Sequence, residues 1–224
     1  TLCQWLDDLP AELIKSRPAL ISLQGALMIL RGDYNQCLLL LNRAAEMQRQ
    51  NGDRAGLTFT LNRRSVAFRL LGSYTESLAD AEESIALLSA EPETPLYADA
   101  LSARGVVLLS IGQLAEALDT LRRSLQVYQL LGDDGAASRA CLEIGRTLRS
   151  MGRYAEAEQA YIQALEYNSS TGNLVLRGNL YNNLGVLQHG RGDYVTATAS
   201  FENAVQSARL AGSQRVEAYA LTSI

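Results

Sequence analysis

Residues Gly145–Ala164, GRTLRSMGRYAEAEQAYIQA, decide how this chain is read. Their fixed points are Gly145, Gly152, Tyr154, Ala157, Tyr161 and Ala164. Gly152 sits where one helix ends and another begins, a place where a residue without a Cβ can adopt the backbone angles of a tight turn. Ala157, Tyr161 and Ala164 are spaced by four and three, so they share one helical face. Small, large and small side chains along that face leave room for a neighbouring helix to pack closely.

The same stretch recurs along the chain. Gly32, Gly72, Gly112, Gly152 and Gly192 follow one another at intervals of 40 residues. Two residues after each come Tyr34, Tyr74, Leu114, Tyr154 and Tyr194. A second break lies 20 residues beyond each turn, at Gly52, Pro92, Gly132, Gly172 and Gly212. A fixed period with two breaks per period predicts a helix–turn–helix unit repeated in tandem, an all-α solenoid. The expected units are 18–53, 54–93, 94–133, 134–173 and 174–213, with a partial sixth at 214–224 and a capping helical segment at 1–17.

The predicted helices are Ala11–Ser16, Pro18–Arg31, Asn35–Gln50, Arg54–Leu71, Thr75–Ala90, Thr94–Ile111, Ala115–Leu131, Gly135–Met151, Ala155–Ser170, Leu174–Arg191, Val195–Ala211 and Gln214 onward. Ahead of them, Trp5, Leu6 and Leu9 form an apolar face that ends at Pro10, and Trp5 is expected to pack over the first repeat. The proline-rich connection Glu91–Pro95 is too short for a domain linker.

With 20 basic and 24 acidic residues, a net charge of -4 and a pI near 5.1, the chain has no general attraction for nucleic acid or anionic membrane. Cys3, Cys37 and Cys141 are odd in number and far apart, against a disulfide framework or zinc site, and read as buried small apolar residues. No apolar run approaches the roughly 18 residues that a membrane-spanning helix needs. The chain starts at Thr1 without a signal peptide and stops inside an apparent helix, so it reads as a cytoplasmic fragment of a longer protein.

An enzyme needs convergent reactive groups, and none converge here. The single histidine, His189, precedes a turn, where a cation favours the helix dipole. Phosphate-loop, zinc-peptidase, Cys-x-x-Cys and nucleophile-elbow motifs are absent, and Glu82–Glu83 and Asp133–Asp134 read as solvated surface. No catalytic activity, cofactor or metal is expected.

The repeating residues resemble the tetratricopeptide repeat. In that family a leucine-glycine pair on the first helix is followed by a turn glycine and aromatic, then alanine, aromatic and alanine on the second helix. The fifth unit carries Leu184, Gly185, Gly192, Tyr194, Ala197, Phe201 and Ala204 in that order. The fourth has Ile144 for the leucine, and the third has Leu114 and Leu121 for the aromatics. In the second, Ser65 and Ser77 replace glycine and alanine, and the first has Cys37 and Leu41. The family's usual unit has about 34 residues, so both helices are longer here. The resemblance implies a right-handed superhelix.

The opening stretch carries a second resemblance. Trp5, Leu9–Pro10, Arg17–Pro18 and Gly32–Tyr34 are arranged as in the helical-repeat sensor region of MalT-like, LuxR-family ATP-dependent transcription activators. That likeness implies a sensor or interaction segment of a bacterial regulator, with an ATPase module before it and a DNA-binding module after it.

The tetratricopeptide resemblance also implies a binding groove lined by the first helix of each unit. Its inward positions are Asn62, Arg63, Val66 and Arg69, then Asp99, Ser102 and Val106, then Arg139, Leu142, Glu143, Arg146 and Arg149, then Asn179, Asn182, Asn183, Val186 and His189. Arg139, Arg146 and Arg149 share one stripe with Leu142, suited to carboxylate or phosphate groups, and Arg63 and Arg69 are candidates for the same groove. An exposed face paired with acids such as Glu143 or Asp99 accounts equally for those charges. Asn62 and Asn183 resemble asparagines that grip a peptide backbone, a ladder interrupted at Ala103 and Glu143. The implied partner is a protein or peptide, or an anionic small effector, with a homodimer through exposed terminal repeats as a further expectation. A scaffold without a small ligand is the alternative.

Overall fold

A computed structural model describes residues 9–222. Cys3, Trp5, Leu6 and the start of the capping segment lie outside the described residues. Among the described residues there are twelve helices and no strand. They are α1 (Ala11–Ser16), α2 (Pro18–Arg31), α3 (Tyr34–Asn51), α4 (Arg54–Leu70), α5 (Tyr74–Leu87), α6 (Pro95–Ser110), α7 (Leu114–Leu131), α8 (Asp134–Ser150), α9 (Tyr154–Thr171), α10 (Leu174–Gly190), α11 (Tyr194–Leu210) and α12 (Gln214–Leu221).

Capping chemistry explains the regular starts. The side chains of Asp33, Asp53, Asp133 and Asn173 accept from the backbone N–H of Gln36, Gly56, Ala136 and Leu176 at 3.1, 2.9, 2.8 and 3.0 Å. Each such cap satisfies a donor that the helix leaves open and contributes about 1 kcal/mol. Gly152, at φ 75°, ends α8 with the Arg153 N–H donating back to Leu148 O at 2.9 Å. A side chain at that φ would be strained.

Predicted and observed boundaries agree to within one residue except in α5. That helix was expected to reach Ala90 but ends at Leu87. The break contains Pro92 as expected but opens earlier, with a turn that begins at Leu88, where the Glu91 N–H donates to Leu88 O at 2.8 Å. The next helix starts at Pro95, whose missing N–H is not needed there, with Thr94 capping Tyr97 N–H at 3.3 Å.

The chain divides after Thr120, within α7, into two compact units. In the first, α2 packs on α3, α3 on α4, α4 on α5 and α5 on α6. Cys37, Leu41 and Ala67 form one buried cluster, Ala45, Leu57 and Leu61 a second, and Leu88, Tyr97 and Leu101 a third. A polar cluster is buried beside them. Ser22 and Thr60 hydroxyls are 2.6 Å apart, and Thr60 Oγ1 donates to Gln48 Oε1 at 2.7 Å.

In the second unit α8 packs on α9, and α10 on α11. Ala157, Tyr161 and Ala164 are wholly buried, as their spacing requires. Tyr161 packs against Gly145, and a Cβ there would come within 2.4 Å of the ring. Phe201 covers Gly185 in the same way, at 2.5 Å.

Candidate binding faces

The first helices of successive repeats carry the expected site residues, Asn62 to Ser102 in the first unit and Arg139 to His189 in the second. In the first, the Arg63 guanidinium lies over the Phe59 ring at 5.2 Å and 4.0 Å from Asp99. Arg69 and Ser102 are half-buried. Asn62 is only 5% exposed, and its Nδ2 donates to Leu96 O at 3.2 Å. Its Oδ1 is buried without a hydrogen-bond partner. Asn62 thus joins α4 to α6 instead of facing solvent.

In the second unit, α8 and α10 carry the remaining candidates. Arg146 is held by Glu143, with Nη1 donating at 3.0 Å, so this part of the stripe is neutralised as the acid-paired reading anticipated. Arg139, exposed, and Arg149, half-buried, make no hydrogen bond or ion pair among the described residues. Leu142 is half-buried between them in sequence. Arg149 opens onto a cavity of about 240 Å³ walled by Tyr154, Val186, Leu187, Gly190 and Arg191. Arg191 is engaged by Glu158 at 2.6 Å, which leaves Arg149 as the cavity's uncompensated charge.

The asparagines do not form the expected ladder. Asn183 Nδ2 donates to Asn179 O in its own helix at 2.8 Å. Three periods of 40 place Asn62 in register with Asn182, whose Oδ1 is likewise buried and unpartnered, and not with Asn183. His189 is exposed in the last turn of α10 and meets Tyr194 edge-on at 5.2 Å. Tyr154 and Arg191, which complete the cavity, were not among the expected site residues. Tyr154 was visible only as a repeat marker, and Arg191 belongs to no stripe.

Burial pushes the Cys141 thiol up to about 12, and burial with Asp33 nearby pushes Cys37 up to about 11. Both thiols are fully buried and behave as small apolar groups. Burial also raises the Tyr161 hydroxyl to about 12, against the opposing pull of Arg149 and Arg146. Among the described residues no group of three His, Cys, Asp or Glu is placed to hold a metal. No helix among them is long and apolar enough to cross a membrane.

Helix pairs repeated at a fixed period, with a glycine seated under a large side chain in several of them, define a helical-repeat binding protein. Residues 57–130 and 138–210 match the tetratricopeptide repeat, and the chain belongs to that family. Its repeats mark it as a protein-interaction module. Solved structures with the same fold include BtubC (BKLC) of P. vanneervenii, with a TM-score of 0.73 at 16% identity, over 86% of this chain and 80% of that one. A thermophilic TPR protein of Thermus thermophilus gives 0.68 at 18%, over 91% and 96%. The TPR-like repeats of a kinesin light chain from Podosopora anserina give 0.68 at 14%, over 87% and 97%. No curated protein sequence matches the chain.

Proposed function

We propose that the second unit binds an acidic segment of a partner protein along α8 and α10. The observation that carries this reading is Arg149, a guanidinium without an anionic partner at the mouth of an apolar-walled cavity, with Arg139 also unpaired on the same helix. A carboxylate placed there meets a planar, permanently charged fork, while Val186 and Leu187 receive the adjoining apolar group. The same cavity favours a second reading, a compact anionic effector, because 240 Å³ suits a small molecule better than a long peptide.

In either case the chain serves as the sensor or interaction segment of a larger bacterial regulator, a context supported by its opening stretch. Binding then acts by differential affinity for two states of the parent protein. The test is fluorescence anisotropy with an acidic peptide, its amide-neutralised counterpart, and a panel of small carboxylates and phosphates. Arg139→Ala/Arg149→Ala should weaken the true ligand by at least about tenfold, the loss of one charged contact. Equal binding by the variant rejects the site. Sequencing the gene on either side tests the regulator context, which requires an ATPase module and a DNA-binding module.

A further inference from the structure

A single position, repeated every 40 residues, changes the outer face of the second unit. In the first unit it is occupied by Arg64 and Arg104. Arg64 rises from α4 between α3 and α5. Its Nε and Nη2 donate to Asp80 at 2.7 and 2.6 Å, and its Nη1 donates to Asn42 at 2.9 Å. Arg104 rises from α6 in the same manner and pairs with Glu82 at 3.5 Å and with Glu116, while donating to Thr120 at 3.0 Å. In both repeats an arginine from the first helix fills the furrow between two second helices and ties them together.

In the fourth repeat the same position is Ile144. Its surroundings have changed with it. Arg122 stands where Glu82 would be, and Ala160 where Thr120 would be. The aliphatic Ile144 cannot supply the arginine's bridge, and a cavity of about 490 Å³ remains between α9 and the later part of α7. Ile144, Leu148 and Ala160 make its buried floor. Arg122 lies at one end beside Glu156, which is already paired with Arg153 at 2.6 Å. Glu166 lies toward the other end and makes no ion pair among the described residues. The span from Glu156 to Glu166 along α9 is about 15 Å, at roughly 1.5 Å per residue.

We infer that this furrow is a docking site for one amphipathic helix of a partner protein, about three turns long, with an acidic first turn over Arg122 and a basic last turn over Glu166. A furrow between two helices accepts a third by ridge-into-groove packing, and aliphatic side chains of the incoming helix meet the apolar floor. The required charges also suit the incoming helix's own dipole, which favours acids at its start and bases at its end. The furrow shares α8 with the proposed anion site but no lining residue, so the two are probed by separate substitutions.

The probe is an alanine-based peptide of about four turns with Glu in its first turn, Leu at positions i, i+4 and i+7, and Arg in its last turn. Fluorescence anisotropy should show saturable binding. The variant Ile144→Arg/Ala160→Asp rebuilds the arrangement that Arg64 and Asp80 already make in this chain. It should retain the far-ultraviolet circular dichroism of the parent and bind the peptide at least about tenfold more weakly, equivalent to 1.4 kcal/mol. A peptide with its Glu and Arg exchanged should also bind more weakly. Failure of the parent chain to bind, or equal binding by the refilled variant, overturns the inference. So does self-association of the parent that the refilled variant abolishes without any peptide binding, because the occupant would then be a second copy of this chain. If the double variant is unfolded, Ile144→Gln, which makes the floor polar without filling the furrow, takes its place with the same two outcomes.

Discussion

Tyr161 rests on Gly145 with no space between them: a Cβ at position 145 would lie 2.4 Å from the ring's Cε1 and 2.6 Å from its Cδ1. Gly185 under Phe201 and Gly25 under Leu41 repeat the relationship, with closest approaches of 2.5 and 2.8 Å. In the second repeat Ala81 takes the place of the large residue, and there Ser65 replaces the glycine. The vacated space is used by a reciprocal pair, in which Ser65 Oγ donates to Ser77 O at 2.8 Å and Ser77 Oγ donates to Ser65 O at 2.7 Å. The size of the second-helix residue therefore sets what the first helix can carry.

Gly145→Ala should destabilise the protein by about 2 kcal/mol, the usual range for forcing a methyl group into a filled core. Urea unfolding followed by circular dichroism measures it. The same substitution in a Tyr161→Ala background should cost distinctly less, giving a coupling of about 1 kcal/mol. Additive losses would show that the ring is not what excludes the methyl group.

The Tyr161 hydroxyl is buried with no hydrogen-bond partner. Removing it leaves the ring packing intact and ends the cost of an unsatisfied polar group. Tyr161→Phe, the residue type found at position 201, should leave stability unchanged or raise it by about 1 kcal/mol. A loss of that size would mean that the hydroxyl is hydrogen-bonded in solution.

Alkaline pH should loosen the fold. Burial raises Cys37 to about 11 and Cys141 and Tyr161 to about 12, above the ordinary values of 9.0 for the thiols and 10.0 for the phenol. The unfolded chain therefore loses these protons first, so the stabilising contribution is complete at neutral pH and is lost as pH rises from about 9 to 12. Urea midpoints should fall across that window, and less steeply in Cys141→Ala/Tyr161→Phe. A flat profile in the parent would contradict the assigned burial. In a Cys3→Ser chain, the two remaining thiols should react with a disulfide reagent at pH 8 only on unfolding.

Arg64 and Asp80 form a nearly buried pair, with side chains 14% and 7% exposed. Burial pushes the Asp80 carboxyl above its ordinary value even with Arg64 opposing the change. Asp80→Ala should cost about 3 kcal/mol by stranding the guanidinium, whereas Arg64→Met/Asp80→Leu should restore most of that loss. Thermal melts of the parent and both variants decide it, and a double variant no better than the single one would show that the pair itself stabilises the fold.

The period of 40 makes the helices legible in the chain alone, because turn glycines and capping acids act within a few residues of themselves. Only the α5–α6 junction departed from the pattern, where no glycine marks the end and a weaker turn closes the helix early. The arginine stripe on α8 was also legible from its spacing, as were the buried cysteines Cys37 and Cys141.

The sequence by itself determined the helix–turn–helix unit, its number and its buried small-large-small face, since each follows from chemistry within one repeat. Tertiary structure alone decided which arginines keep a free charge. Arg146 and Arg149 are three residues apart, yet Glu143 neutralises the first while the second faces a cavity built partly by α10. It also decided that Asn62 is buried between helices and that Ile144, at the position of Arg64 and Arg104, floors an open furrow. Those outcomes depend on which side chains of neighbouring helices come within a few ångströms, and spacing along one helix carries no record of that.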